Sequence, residues 1–254
     1  MSLSATIAGV SVWGPGLDGW AASRPILAGA APYVDRALAP PPPPLPPAER
    51  RRCGPVVRLA LAAAAEAAPA PSTALRAVFA SSTGDGPVVG AILDALAQPG
   101  DERVVSPTQF HNSVHNAAAG YWSIAFGTAA PATSIGCHDE TFAAGLVAAM
   151  AERQTTGGAV LLCCYDHPLP PPLDTVRPIG PGFAAAFLFA DGPGPRLTLA
   201  LSPEPHAPPA HDFAALVQNP AARALPLLAA LARGRDAVVR LPYLGGSVVL
   251  TLAP

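Results

Sequence analysis

The residues best suited to chemistry lie close together between Ser106 and Gly145. This stretch predicts a helix of small residues, a turn, a short apolar strand, and then Cys137 at the elbow where a second helix begins. A cysteine at such an elbow can act as a nucleophile if a base or an oxyanion donor lies beside it. His138 and His115 are candidate bases within the same stretch.

Two histidines of the first predicted helix suggest a different chemistry. His111 and His115 are four residues apart, which would place both side chains on one helical face, and together with Cys137 and His138 they could hold a metal ion. No second closely spaced pair of ligands is visible in the sequence. We therefore predict a polar helix face at a subunit interface or at the mouth of a tunnel, and we expect neither a metal nor another cofactor.

The composition indicates a folded protein with few surface charges. Of the 254 residues, 50% are hydrophobic and 13% are charged, and the net charge is −2. We therefore expect a protein partner to cover some apolar surface. The longest basic run is Arg50 to Arg52, so the sequence does not predict a basic surface of the kind that binds nucleic acid. All basic residues are arginines, which excludes lysine Schiff bases and phosphate-loop lysines.

The sequence shows no membrane-spanning segment, no signal peptide and no disulfide scaffold of the kind found in secreted proteins. No apolar run reaches the length of a membrane span, and the first residues lack a basic segment ahead of their apolar run, as a signal peptide would have. The four cysteines do not show the spacing of a disulfide scaffold. We therefore predict a protein of the reducing cytoplasm.

Apolar strands that alternate with helices predict an α/β protein, with a mixed sheet of about five strands and helices on its faces. The segments Phe183–Ala190 and Arg196–Leu201 are predicted to pair with each other as antiparallel strands. A helix over 220–233 and a hairpin around Gly245-Gly246 are expected near the end. The other predicted strands are Ala5–Trp13, Leu75–Ser81, Thr133–Gly136 and Ala159–Tyr165.

A series of short motifs runs through the opening stretch: Ser106-Pro107, Val114-His115-Asn116, Ala119-Gly120, Gly127, Pro131, Ser134-Ile135 and Gly145. Their order resembles the N-terminal half of the β-ketoacyl synthases, which have the thiolase fold. The resemblance extends more weakly from Ala5 to about Leu201. It implies a thiolase-like half-fold over residues 1–201 and a short C-terminal extension, residues 202–254, that replaces the second half of the thiolase fold.

Departures from that family bear on catalysis. About fifty residues follow Leu201, and their histidines, His206 and His211, stand in neither a His-Gly-Thr nor an Asn-His context. We therefore expect the family's catalytic histidines to be missing. Aligned from the following helix, the nucleophile position falls on Cys137; aligned from the preceding side, it falls on Asp139. A carboxylate beside the thiol would raise the thiol's pKa, which opposes nucleophilic attack.

A relative of this kind resembles the short chain-length-factor subunits of aryl polyene type ketosynthases. The resemblance implies a non-catalytic subunit that forms a heterodimer with a β-ketoacyl-ACP synthase and shapes its acyl tunnel, in polyene, polyketide or fatty-acid-type biosynthesis. The acyl carrier protein would contact the complex through that partner subunit. Gln109 and Phe110 fall where the family sends a bulky residue into the partner's tunnel. Further residues expected at the interface or tunnel are His111, Val114, His115, Asn116, Tyr121 and Trp122, and for the last two the core is the alternative.

Other functions remain open at this point. One is an independent acyltransferase or hydrolase that uses Cys137 with His138 or His115. Another is a homodimeric scaffold with no role in a tunnel. The sequence does not decide between a heterodimer and a homodimer, and it does not give the acyl chain length.

Overall fold

A mixed β-sheet forms the frame of the molecule. The computed structural model describes residues 2–100, 103–208 and 210–254, and within these ranges the sheet has nine strands. Their order is β4-β3-β5-β6-β1-β7-β9-β8, and β2 is attached to β1. The strands are β1 Ser2–Gly14, β2 Leu17–Asp18, β3 Arg76–Ala80, β4 Ala132–Ile135, β5 Val160–Asp166, β6 Phe183–Phe189, β7 Arg196–Ser202, β8 Ala237–Tyr243 and β9 Gly246–Ala253.

The helices cover both faces of this sheet, as predicted for an α/β protein. Helices α3 and α6 pack on one face, and α7 packs on the other together with α9. The predicted class is confirmed, although the sheet has more strands than expected. The helices are α1 Trp20–Leu27, α2 Pro47–Arg52, α3 Pro55–Ala67, α4 Gly86–Leu96, α5 Pro107–Asn112, α6 Ala117–Phe126, α7 Thr141–Thr156, α8 Leu173–Val176 and α9 Leu225–Arg233.

Strand β1 is long enough to serve two neighbours. Its first half, Ser2–Thr6, pairs with β7, and its second half, from Ile7 to Trp13, pairs with β6. The predicted direct pairing of Phe183–Ala190 with Arg196–Leu201 is therefore wrong, because β1 lies between them. The loop that connects β6 to β7 passes close to the backbone of β1. Only glycine fits at position 194, because a Cβ atom there would lie 2.3 Å from the carbonyl oxygen of Ile7.

Strand β1 is also tied to α3 by one carboxylate. Glu66 accepts hydrogen bonds from the hydroxyl of Ser11 at 2.6 Å, from the indole N–H of Trp13 at 2.9 Å and from the backbone N–H of Trp20 at 2.6 Å. The Ser11 side chain is fully buried. Since a buried hydroxyl without a partner is costly, Glu66 stabilises the start of the fold.

The last part of the chain is built into the same sheet. The predicted hairpin is present as β8 and β9, which pair up to Tyr243 and Gly246, and β9 pairs in turn with β7. The predicted helix is present as α9, preceded by a 3₁₀ turn over Ala221–Ala224. The division at residue 201 stays a proposal about how the chain relates to the two halves of the thiolase fold.

Helix α7 is enclosed between the sheet and this C-terminal part. Its residues from Thr141 to Leu146 are all buried. Gly145 lets the helix approach the sheet, because a Cβ atom there would lie 2.9 Å from Leu162 Cδ1 and 3.0 Å from Ala80 Cβ. The first turn of α7, where the candidate site lies, is thereby fixed against β3 and β5.

Candidate functional site

The carboxyl ends of three parallel strands meet at one edge of the sheet. Strand β3 pairs in parallel with both β4 and β5, and the residues that follow these strands are Ser81, Gly136 and His167. Sites of α/β proteins commonly form at such an edge. The elbow expected from the sequence lies here, since it connects β4 to α7.

The sharp bend of the elbow falls on His138. Cys137 has an extended φ of −148°, whereas His138 has a φ of +49° and begins a 3₁₀ turn that ends at Glu140. A left-handed conformation is disfavoured for residues other than glycine and is often found where a chain must present a site. The bend therefore lies between Cys137 and Asp139, and the choice of nucleophile position between these two stays open.

Hydrogen bonds from the start of α7 hold this turn. The hydroxyl of Thr141 donates to the carbonyl oxygen of His138 at 2.7 Å and accepts from the backbone N–H of Cys137 at 2.9 Å. The Cys137 thiol is partly buried, and burial, followed by the charge of Glu140, raises its pKa above the ordinary value of 9.0. Little thiolate is present near neutral pH, so the elbow is poorly suited to nucleophilic attack.

An arginine that the sequence did not single out connects the elbow to the neighbouring strand end. The guanidinium of Arg177 donates to Asp139 Oδ1 at 2.6 Å and to the hydroxyl of Ser82 at 3.0 Å. Arg177 lies in a proline-rich loop, 38 residues from Asp139, and no motif spacing indicates their contact. This ion pair ties the elbow to the loop that carries Arg177.

Beneath this pair lies a buried carboxyl group, Asp166, at the end of β5. Its Oδ1 accepts hydrogen bonds from the hydroxyl of Ser81 at 3.0 Å and from the backbone N–H of Ser82 at 2.8 Å. Its Oδ2 has no hydrogen-bond partner in the part of the chain that the structure describes. Burial raises the pKa of Asp166 to about 7, and the hydrogen bonds from Ser82 and Ser81 and the charge of Arg177 oppose that rise.

The two histidines expected on one helix face are separated by a break. Helix α5 ends at Asn112 and α6 begins at Ala117, so His111 belongs to α5 and His115 to the turn between them. His115 Nε2 lies 2.9 Å from the carbonyl oxygen of Ser81. A Cβ atom at Gly136 would lie 3.4 Å from the same nitrogen, so this turn rests against the elbow.

The remaining candidate ligands and bases do not gather at the elbow. Among the residues that the structure describes, no group of three histidine, cysteine or acidic side chains could hold a metal ion. His206 and His211 line a pocket with Tyr33 and Phe213 beside α1 and α9. Within the same residues, neither of these two histidines forms a hydrogen bond or ion pair with the elbow.

Next to the elbow, α5 and α6 present an apolar surface to solvent. Phe110 is 69% exposed, and Val114 and Ile124 are also exposed. His111, Asn116 and Gly120 are exposed as well, and Gln109 is half-buried. We call the exposed surface formed by Phe110, Val114 and Ile124 the α5–α6 face; it borders a groove of about 420 Å³.

Tyr121 and Trp122 lie in the core beneath this face, and Tyr121 also lines the groove. They are 2% and 1% exposed. Trp122 packs against Phe79 and Phe126, with ring centroids 6.2 and 4.3 Å apart, and the Tyr121 hydroxyl donates to Asn112 Oδ1 at 3.0 Å. The side of α6 that carries them faces the sheet, and burying two large aromatic side chains there stabilises the chain itself.

Strand β4 leaves one side of the sheet open. In the described ranges no strand lies beyond it, and Ala132 and Thr133 are exposed. An edge strand offers unpaired backbone N–H and C=O groups to another chain. This open edge leads directly into the elbow.

The fold and this edge-strand elbow define a thiolase-like α/β chain. Residues 27–241 match the family described as "Beta-ketoacyl synthase, N-terminal domain". The chain belongs to this family, as the motifs between Ser106 and Gly145 indicated. No curated protein was found to match it.

Solved structures share the fold, two of them along almost the whole chain. A complex of the ketosynthase ApeO with its chain length factor ApeC from Xenorhabdus doucetiae contains a chain with a TM-score of 0.75 and 23% identity, over 98% of this chain and 99% of that chain. The ishigamide ketosynthase/chain length factor gives 0.70 and 16%, over 98% of each chain. A β-ketoacyl synthase from Burkholderia phymatum STM815 gives 0.55 and 13%, over 76% of this chain and 60% of that chain.

A further property of the chain concerns membranes. In the described parts of the chain, no helix is long and apolar enough to cross a membrane.

Proposed function

We propose that this chain is a non-catalytic, ketosynthase-like chain-length-factor subunit. It pairs with a β-ketoacyl-ACP synthase and shapes that partner's acyl tunnel in polyene, polyketide or fatty-acid-type biosynthesis. Acyl carrier protein meets the complex through the partner. The observation that carries the proposal is the exposed apolar α5–α6 face beside an elbow that is poorly suited to attack.

The chemistry of the elbow supports a role without catalysis. Burial and Glu140 both raise the pKa of the Cys137 thiol, and Asp139 is held by Arg177. An activated cysteine instead needs a base or a positive environment that lowers its pKa. The function therefore lies in the surface around the elbow.

The surface supports a role in an assembly. An exposed phenylalanine flanked by Val114 and Ile124 is costly in water, and apolar patches of this kind commonly mark contacts with other proteins. Phe110 lies in the six-residue helix α5, which begins at Pro107, a position where proline is well tolerated. The unpaired edge of β4 provides backbone groups for the same contact.

The structural neighbours agree with this proposal. Chains that match this one almost end to end belong to complexes described as ketosynthase with chain length factor. A third such chain, with a TM-score of 0.75 and 10% identity, belongs to a type II PKS acyl-carrier protein in complex with its ketosynthase. We also propose a cytoplasmic location, in accord with four cysteines that are all free thiols.

Co-expression with the ketosynthase encoded nearest to its gene tests the proposal. We expect a 1:1 complex and condensation by the complex only. Phe110→Ala should lengthen the acyl products, because the side chain that closes the tunnel becomes shorter. Val238→Ala is the matched control, since Val238 is also apolar and exposed but lies on β8, at the opposite edge of the sheet.

Two results would contradict the proposal. One is condensation by the purified chain alone that is lost on Cys137→Ala, which would show an independent enzyme. The other is a stable homodimer that does not bind the ketosynthase, which would show a scaffold.

A further inference from the structure

The tip of the C-terminal hairpin carries an exposed leucine where the backbone disfavours one. The two residues between β8 and β9 are Leu244 and Gly245, with φ values of +47° and +78°. Two-residue hairpin turns with two left-handed residues favour Asn-Gly or Gly-Gly, because a branched apolar side chain is strained there. Leu244 is nevertheless 72% exposed. Neither the folding nor the hydration of the isolated chain accounts for a leucine at this position.

The same tip is fastened to the elbow. The backbone N–H of Leu244 donates to Glu140 Oε2 at 2.8 Å, and Glu140 ends the 3₁₀ turn that follows Cys137. Strand β8, which ends at Tyr243, also contacts the 3₁₀ turn His138–Glu140. The last hairpin of the chain is thus held at the site although β8 forms the opposite edge of the sheet.

The elbow connects the tip to the α5–α6 face. On one side, His115 rests against Gly136, next to the exposed Val114. On the other side, Leu244 is bound to Glu140. The surroundings of the tip are apolar too, since Leu201, Pro203 and Tyr243 line a groove of about 490 Å³ beside it. Leu244 therefore lies on one side of the elbow and the α5–α6 face on the other, and the elbow itself exposes His138 and Asp139.

We infer that Leu244 is a second anchor for the ketosynthase partner and that the Glu140 carboxylate positions it. This inference rests on the proposed function, because it takes the partner at the α5–α6 face to reach across the elbow. The occupant is an apolar surface of that partner, since the tip offers a leucine side chain and no charge. The strain of the left-handed leucine is retained because the contact requires it.

The substitution Leu244→Asn separates folding from binding. Asparagine tolerates the left-handed region and Asn-Gly suits this turn, so the melting temperature of the isolated chain should rise. The dissociation constant of the ketosynthase complex should increase about tenfold or more, because a buried leucine is lost from the contact. Glu140→Ala should weaken the complex in the same direction by releasing the tip.

The matched control is Val238→Asn, an exposed apolar residue of β8 away from the elbow, which should leave the dissociation constant unchanged. Binding of the Leu244→Asn chain within twofold of the unchanged chain would overturn the inference and leave the proposed function standing. If the substitution instead abolishes self-association, the occupant is a second copy, which also overturns it. Failure of the unchanged chain to bind the ketosynthase would refute the proposed function itself.

Discussion

The carboxyl group of Asp166 should make the stability of this chain depend on pH. Its ordinary pKa is 3.8, and burial raises the pKa to about 7 in the folded chain. Because the folded state holds this proton more tightly, the unfolded state carries fewer protons between these values, and the free energy of unfolding falls as pH rises. The contribution is fully present below pH 3.8 and is lost as pH rises through 7.

The size of this effect follows from the two pKa values. Over the whole window it corresponds to about 4 kcal/mol. Between pH 5.5 and pH 8, where the experiment is practical, it amounts to about 2 kcal/mol. That is a large part of the stability of an ordinary domain, which is about 5–15 kcal/mol.

The substitution Asp166→Asn isolates this contribution. The amide oxygen can still accept from Ser81 and Ser82, but the group no longer ionises. Urea unfolding followed by tryptophan fluorescence at several pH values gives the free energy of unfolding for both chains. We expect the stability of the substituted chain, relative to the unchanged one, to rise by about 2 kcal/mol from pH 5.5 to pH 8.

The comparison between the two chains is necessary because other groups titrate. Burial also raises the pKa of Asp85 and lowers that of His167, and both remain in each chain. Asp94→Asn, at an exposed carboxylate of α4, is the matched control. Parallel pH profiles of the unchanged and Asp166→Asn chains would refute the reasoning, since they would show that Asp166 has an ordinary pKa when folded.

Two further predictions concern the elbow and the start of the fold. Near pH 7, Cys137 should react with a thiol-specific reagent more slowly than free cysteine, because burial and Glu140 raise its pKa. The other three cysteines are buried, so a fast reaction at one site per chain would show that Cys137 is activated and would contradict this prediction. Glu66→Ala should lower the free energy of unfolding by about 2–4 kcal/mol, because it leaves the buried Ser11 hydroxyl without its acceptor. Urea unfolding measures this change, and Glu204→Ala, at an exposed carboxylate, is the control. If Glu66→Ala lowers the stability no more than Glu204→Ala does, the prediction is contradicted.

The strands could be located from the sequence, but not every pairing between neighbouring strands of the sheet could be predicted from it. Buried runs such as Val160–Asp166 carry a strong local signal, because both faces are apolar. The error at β6 and β7 has a physical cause: a short Gly/Pro loop favours a hairpin, but thirteen residues of β1 make enough hydrogen bonds to insert between them. The sequence of the loop between β6 and β7 does not reveal that a distant strand pairs with both.

The candidate site was predictable where it depends on local sequence. The elbow and the exposed Phe110 followed from motifs and family resemblance. The choice between core and interface for Tyr121 and Trp122 could not be made, because α6 is apolar all round and its sequence does not indicate which side meets the sheet. The contact of Arg177 with Asp139 joins two loops, and only the fold brings them together.

The position of β1 also determines when this protein can fold during synthesis. Its partners, β6 and β7, begin at Phe183 and end at Ser202, so its backbone groups wait unpaired while most of the chain is still being made. At about 5–20 residues per second, the delay is about 10–40 s. An apolar strand left open for that time is a target for chaperones or for other nascent chains. The strand that joins the two parts of the finished sheet is therefore a segment that needs protection at the ribosome.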